Sequence, residues 1–213
     1  MPSKAYGTFL RNYEQVGKMQ QAYEEELHKN PRRGRRSIDH FTRAAVMFLC
    51  SSFEVYYEMV LEESCKIISK KLNHPGELPK QVRKTIAKHI VSSKNELEVI
   101  VFADNWKKYY LDLVKDDIGR LNTPKMNNIK EYVSKYIGFN NIFDESTYPF
   151  AGVDDIIVER GEIAHKVYGS SYVNESKLVE YSDTIRDAVK EIDLILYKEI
   201  PKITRKKPWN NTY

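Results

Sequence analysis

Arg160 and His165, in the segment Arg160-Gly161-Glu162-Ile163-Ala164-His165, pair two side chains that can do chemistry together. Histidine titrates near neutrality and can give or take a proton, while a guanidinium is a permanent planar cation that grips anionic oxygens through two N–H groups at once. Proton transfer beside a stabilised anion is the chemistry such a pair can support. The apolar positions Ile156, Ile157, Ile163, Ala164 and Val167 predict one buried stripe on a helix over 153–167, and position 160 falls on that stripe, four residues after Ile156 and three before Ile163. An arginine so placed needs a carboxylate, a helix end or a bound anion to compensate it. His165 lies about 140° around and about 7.5 Å along an ideal helix from Arg160, so the two converge only through the reach of the arginine or across a groove between two such helices.

The Arg-x4-His spacing alone carries little weight, since Arg35 and His40 repeat it in a basic stretch. Context distinguishes the later pair: an amphipathic helix, the run Glu162-Ile163-Ala164-His165, a break at Gly169 and a long closing helix for which Asn174 is the expected N-cap. The rest of the chain must position that helix. Residues 5–28 predict a first helix ending at Asn30-Pro31, because proline disfavours helix in the residue before it. The loop Pro31-Arg32-Arg33-Gly34-Arg35-Arg36 reads either as a solvated connection or as a phosphate-contacting patch. From Ser37 to about Leu72 one apolar stripe contains Phe41, Ala45, Phe48, Leu49, Tyr56 and Val60, and a second contains Val46, Cys50, Phe53, Tyr57, Leu61 and Ile68. A helix apolar around so much of its circumference belongs at the centre of a domain or under a second subunit. A narrow, mostly polar strip of Met47, Ser51, Glu54, Glu58 and Glu62 remains. Further helices are expected over 79–92, 95–121, 125–137 and from 174 to about 200, with no strand. Residues 1–200 thus read as a single domain, followed by a basic, mobile tail over 201–213 that contains Trp209.

Hydrophobic residues make up 41% and charged ones 30% of 213, a composition that folds; 34 bases against 30 acids permit a polyanionic partner without requiring one. No zinc spacing, no Gly-rich loop after a strand and no Gly-x-Ser-x-Gly elbow appears. The expectations are no metal and no cofactor. Asp112, Asp116 and Asp117 read as surface acids, and His28, His74 and His89 as surface histidines. Cys50 and Cys65 lie too far apart on one helix for a disulfide. With no run of about 18 apolar residues and no apolar leader, the expected location is cytoplasmic, away from membranes.

The segment Val158 to His165 resembles the signature of HEPN-domain proteins, in which an Arg and a His occupy a late helix of an α-bundle. The Phe41-Thr42-Arg43-Ala44-Ala45 and Ser52-Phe53-Glu54-Val55-Tyr56 stretches and the Asn122-to-Gly138 region resemble the ribonuclease-like HEPN families in the same order, those called RiboL-PSP-HEPN and MAE_28990/MAE_18760-like among them. The likeness spans about residues 37–200. It implies an all-α HEPN-like bundle with a long core helix and a long C-terminal helix. It also implies metal-independent cleavage of RNA by a homodimer with a composite active site. His165 would move the proton, Arg160 would hold the phosphorane, and the products would be a 2′,3′-cyclic phosphate and a 5′-hydroxyl.

The resemblance further implies a toxin or phage-defence effector with an antitoxin or defence-system partner. Glu54 resembles an acid that several such nucleases hold near the pair, where it would orient His165 or neutralise Arg160; the alternative is a solvated glutamate. Glu162 and Lys166 flank the motif, and Arg32, Arg33, Arg35 and Arg36 are candidate RNA contacts. Two departures stand out. Gly161 occupies a position that is often Asn, Asp or His in active members. The Tyr that some members carry two residues after the His is Val167 here, with Tyr168 one place on, which argues against modification by a nucleotidyltransferase partner. The alternative reading is a catalytically inactive HEPN module that binds RNA or nucleotide or mediates protein assembly.

Overall fold

The structure is a computed structural model that describes residues 2–29, 35–121, 123–166 and 172–210, and among these it contains helices and no strand. The first helix, α1 (Lys4–Lys29), lies antiparallel along the longest, α2 (His40–Lys71), after the short 3₁₀ turn η1 (Arg35–Ile38). Its direction is fixed at its start, where the Lys4 and Ala5 amides donate at 3.2 Å to the Glu63 carboxylate near the far end of α2. An anion at a helix N-terminus satisfies donors that have no partner inside the helix.

Both sequence stripes of α2 are used. Ala45, Leu49, Tyr56 and Val60 are buried, as are Val46, Cys50, Phe53, Tyr57, Leu61 and Ile68, because α1 and the later helices surround α2. Phe48 departs from the expectation: it is 45% exposed, next to exposed Ser51 and Val55, so the open strip of α2 is more apolar than the sequence pattern suggested. By length and composition α2 is also long and apolar enough to cross a membrane, yet here it is the core helix, buried along much of its length.

The 3₁₀ turn η2 (Pro75–Glu77), with His74 Nδ1 accepting from the Gly76 amide, leads into α3 (Lys80–Ser93). The single helix expected over 95–121 is two: α4 (Glu98–Asp104) and α5 (Trp106–Ile118). Asn105 makes the break, with φ −150° and its side chain accepting from the Lys108 amide, so an N-cap interrupts an otherwise unbroken helical composition. Helix α6 (Met126–Tyr136) ends at Gly138, whose φ of 93° and amide bond to the Val133 carbonyl close the last turn.

Helix α7 runs Ala151–His165, starting two residues earlier than expected and ending before Val167, which lies outside the described residues along with Tyr168 and Gly169. Asp154 in its first turn accepts from the Met126 amide at 2.7 Å, tying the start of α6 to α7. Asn174 caps the long α8 (Glu175–Glu199) by accepting from the Lys177 amide at 2.8 Å. Within the basic segment after α8, Pro201–Thr204 forms the short helix α9, Trp209 packs against the core, and Lys207 lies over the Tyr197 ring.

Candidate active site

Helix α7 is wedged between α2 and α8, with Ile156, Ile157 and Ile163 buried as the stripe requires. Ala164 is exposed rather than buried. Two consecutive side chains leave α7 for different neighbours. Arg160 reaches towards α2, where its Nη2 lies 4.0 Å from Glu54 Oε2; the two side chains are 30% and 23% exposed. Glu159 reaches α8, where its Oε2 accepts from Lys177 Nζ at 2.8 Å and from the Tyr181 hydroxyl at 3.1 Å.

The Arg160 contact is loose. At 4.0 Å it is an ion pair and too long for a hydrogen bond, and Arg160 Nε is buried with no hydrogen-bond partner among the described residues. Among the described residues the guanidinium has no partner closer than Glu54, which leaves it able to bind an anion. Burial pushes the Glu54 carboxyl above the ordinary carboxylate value, against the pull of Arg160. Glu58, one turn on, is also raised, by burial and then by the Glu54 charge. Burial pushes the Cys50 thiol beneath them up to about 12, despite the nearby Arg160, so it is no nucleophile.

Around Glu159 the electrostatics are tighter. Burial alone would lower Lys177, but its bonds to Glu159 and Tyr181 outweigh that and raise it. Glu159 Oε1 is buried without a hydrogen-bond partner among the described residues. Sequence reasoning missed Glu159, although it lies three residues after Ile156 and four before Ile163, on the same buried stripe that singled out Arg160. The signal was present for both residues.

His165 is the last residue of α7; its side chain is exposed and makes no hydrogen bond among the described residues. Gly161, between the two motif residues, has open space where a side chain would begin. Glu162 and Lys166 pair with each other at 3.8 Å, both partly exposed. Of the basic loop, Arg32 and Arg33 lie outside the described residues, while Arg35 and Arg36 belong to η1. His40, the second match to the Arg-x4-His spacing, stacks on Phe41 at 4.3 Å between ring centres at the start of α2.

The remaining histidines have local structural partners: His28 with the Glu24 carbonyl at 2.8 Å and His89 with the Tyr109 hydroxyl at 2.8 Å. Asp112 pairs with Lys108, and Asp117 with Lys135 and the Tyr136 hydroxyl. No group of three or more His, Cys, Asp or Glu side chains placed to hold a metal ion occurs among the described residues.

The arrangement offers a partly exposed cation, an acid beside it, and an exposed imidazole at the end of the same helix. Residues 21–198 match the family model described as RiboL-PSP-HEPN, a span that includes α2, α7 and most of α8. No curated protein and no solved structure matches the chain.

Proposed function

The chain belongs to the RiboL-PSP-HEPN family, and from that membership we propose that it is a metal-independent endoribonuclease acting through Arg160 and His165. The observation that carries this reading is the half-buried Arg160 guanidinium, whose one ion pair among the described residues is at 4.0 Å, on the helix that ends in exposed His165. In the proposed reaction His165 removes the proton of a ribose 2′-OH, and that oxygen attacks the adjacent phosphorus. Negative charge accumulates on the non-bridging oxygens, where the forked guanidinium of Arg160 binds two of them. The P–O5′ bond then breaks, and the leaving oxygen takes a proton from a second His165 or from water. The ends are a 2′,3′-cyclic phosphate and a 5′-hydroxyl, and no atom of a metal enters the balance. Glu54 sets the local charge beside Arg160.

A second copy of the chain completes the site in this reading. Phe48 and Val55 on α2 and Val158 on α7 are exposed apolar side chains on the two helices that carry Glu54 and Arg160. Burying them against a symmetry-related copy would bring two α7 ends together across a two-fold axis. The biological role proposed is that of a toxin or phage-defence effector restrained by a partner protein. Its expression should halt growth of a host, and that of the His165→Ala variant should not.

The decisive experiment incubates purified protein with total RNA in a chelator. Fragments with cyclic phosphate ends are expected from the wild type and none from His165→Ala; cleavage by that variant would overturn the assignment. One observation favours a second reading, an inactive binding module: Gly161 offers no polar group where active members often carry Asn, Asp or His. In that case wild type and His165→Ala are equally inert, while RNA still raises the melting temperature of both.

A further inference from the structure

Helix α3 carries Lys80, Arg83, Lys84 and Lys88 and no acidic side chain, in a chain whose bases and acids are otherwise nearly balanced. Lys84, Thr85 and Lys88 line one wall of a groove of about 410 Å³ between α3, α5 and α6. Both lysines are exposed, and neither makes an ion pair or hydrogen bond among the described residues. The groove's other lysine, Lys135, is by contrast committed to Asp117, which also accepts from the Tyr136 hydroxyl, so that carboxylate is already neutralised. What remains unanswered is a pair of cations on one wall and, on the α6 wall, the exposed carboxylate of Glu131.

Four residues of helix separate Lys84 from Lys88, a translation of about 6 Å. That matches the step between successive phosphates of an extended nucleic-acid strand. Between two such phosphates lies a ribose, and a carboxylate facing it can accept from the 2′-hydroxyl, a group that DNA lacks. A simple polyanion site would gain nothing from Glu131, which repels phosphate.

We propose that the α3–α5–α6 groove is a second RNA site, in which Lys84 and Lys88 bind successive phosphates of a single strand and Glu131 reads the intervening 2′-hydroxyl. It deepens the nuclease reading, on which it rests for RNA as the ligand, and it lies on elements that carry neither Arg160 nor His165. The groove anchors the strand and contributes nothing to bond breaking.

Equilibrium binding of a labelled single-stranded oligoribonucleotide tests it, in the full chain carrying His165→Ala so that nothing is cut. Adding Lys84→Gln and Lys88→Gln should weaken binding about tenfold or more and lower the slope of log affinity against log salt by about 1.4, from two phosphate contacts at about 0.7 each. Lys18→Gln with Lys29→Gln, which removes the same charge from α1, should leave the slope unchanged. Glu131→Gln should narrow the preference for RNA over DNA of the same sequence. Equal effects of the two lysine pairs, or equal binding of RNA and DNA by the parent, would overturn the proposal. Cleavage is scored separately: His165-dependent cleavage with no effect of Lys84 and Lys88 on binding refutes the groove alone, and the converse refutes the nuclease reading alone.

Discussion

Glu54 and Arg160 face each other between α2 and α7 at 4.0 Å, an ion pair with no hydrogen bond to fix it. Burial raises the Glu54 carboxyl, with Arg160 offsetting only part of the effect. A folded-state value above the unfolded one means that the native chain holds this proton more tightly. The contribution to stability is therefore present at low pH and is lost as pH rises from the ordinary carboxylate range through the raised value. Glu54→Gln removes that loss. The variant should melt close to wild type at about pH 4, just below the ordinary glutamate value, and above it at about pH 7. A lower melting temperature at neutral pH would show the Glu54 charge to be structural.

Arg160 itself should be nearly dispensable for folding. Partly exposed pairs at such a distance contribute at most about 1 kcal/mol, and Nε gains no hydrogen bond from its burial. Arg160→Met should thus keep stability within about 1 kcal/mol of wild type by denaturant unfolding while abolishing RNA cleavage. A loss of several kcal/mol would instead make Arg160 a core ion-pair residue and remove the argument that it is kept for a ligand.

Much of this frame could be read in advance, and the failures have specific causes. The paired stripes of α2, the Asn174 cap and the Gly138 stop follow from periodicity and from local backbone chemistry, which sequence encodes directly. The break at Asn105 did not show, because no Pro or Gly marks it and the cap is made by one asparagine side chain. Phe48 and Ala164 have core spacing yet are exposed, since spacing gives the direction a side chain takes and not whether a neighbour is there to meet it. The partners of Arg160 and Glu159 come from α2 and α8, far along the chain, and only the fold brings them together.

Two glycines make opposite predictions. Gly161 lies inside α7 with open space at its Cβ position, so Gly161→Ala should stabilise by about 0.5–1 kcal/mol, raising the melting temperature by a few degrees. Gly138 has φ 93°, and a Cβ there would lie 2.3 Å from Pro79 Cβ. Gly138→Ala combines a disfavoured backbone with a clash against a rigid ring and should cost about 3 kcal/mol. Thermal melts of the two variants check both; a destabilised Gly161→Ala would mean that α7 is not regular helix at this point.

The N-terminal segment is clasped to α8 by a fully buried carboxylate. Asp193 accepts from the Ser3 amide at 3.2 Å, from the Ser3 hydroxyl, and from Tyr56 at 3.4 Å, while Ser3 Oγ accepts from the Tyr6 amide at 2.9 Å. Ser3→Ala removes a hydrogen bond to a buried acid and a helix cap together. The expected cost is about 2 kcal/mol, read as a melting temperature lower by about 4–8 °C. No change would mean that water or the backbone replaces the hydroxyl at Asp193.

The proposed dimer makes the strictest demand on the site. Phe48 is 45% exposed, so a charge placed there should leave the isolated chain folded, yet in the proposed interface it would be buried without a partner. Phe48→Glu should therefore convert a dimer to a monomer in analytical ultracentrifugation and lose RNA cleavage with it, while circular dichroism stays unchanged. Val99→Glu, at a 57% exposed apolar position on α4, supplies the control and should leave both assembly and cleavage intact. If Phe48→Glu stays dimeric and active, the α2–α7 face is not where two copies meet. Arg160 and His165 would then have to act within one chain, from the two ends of the last turns of α7.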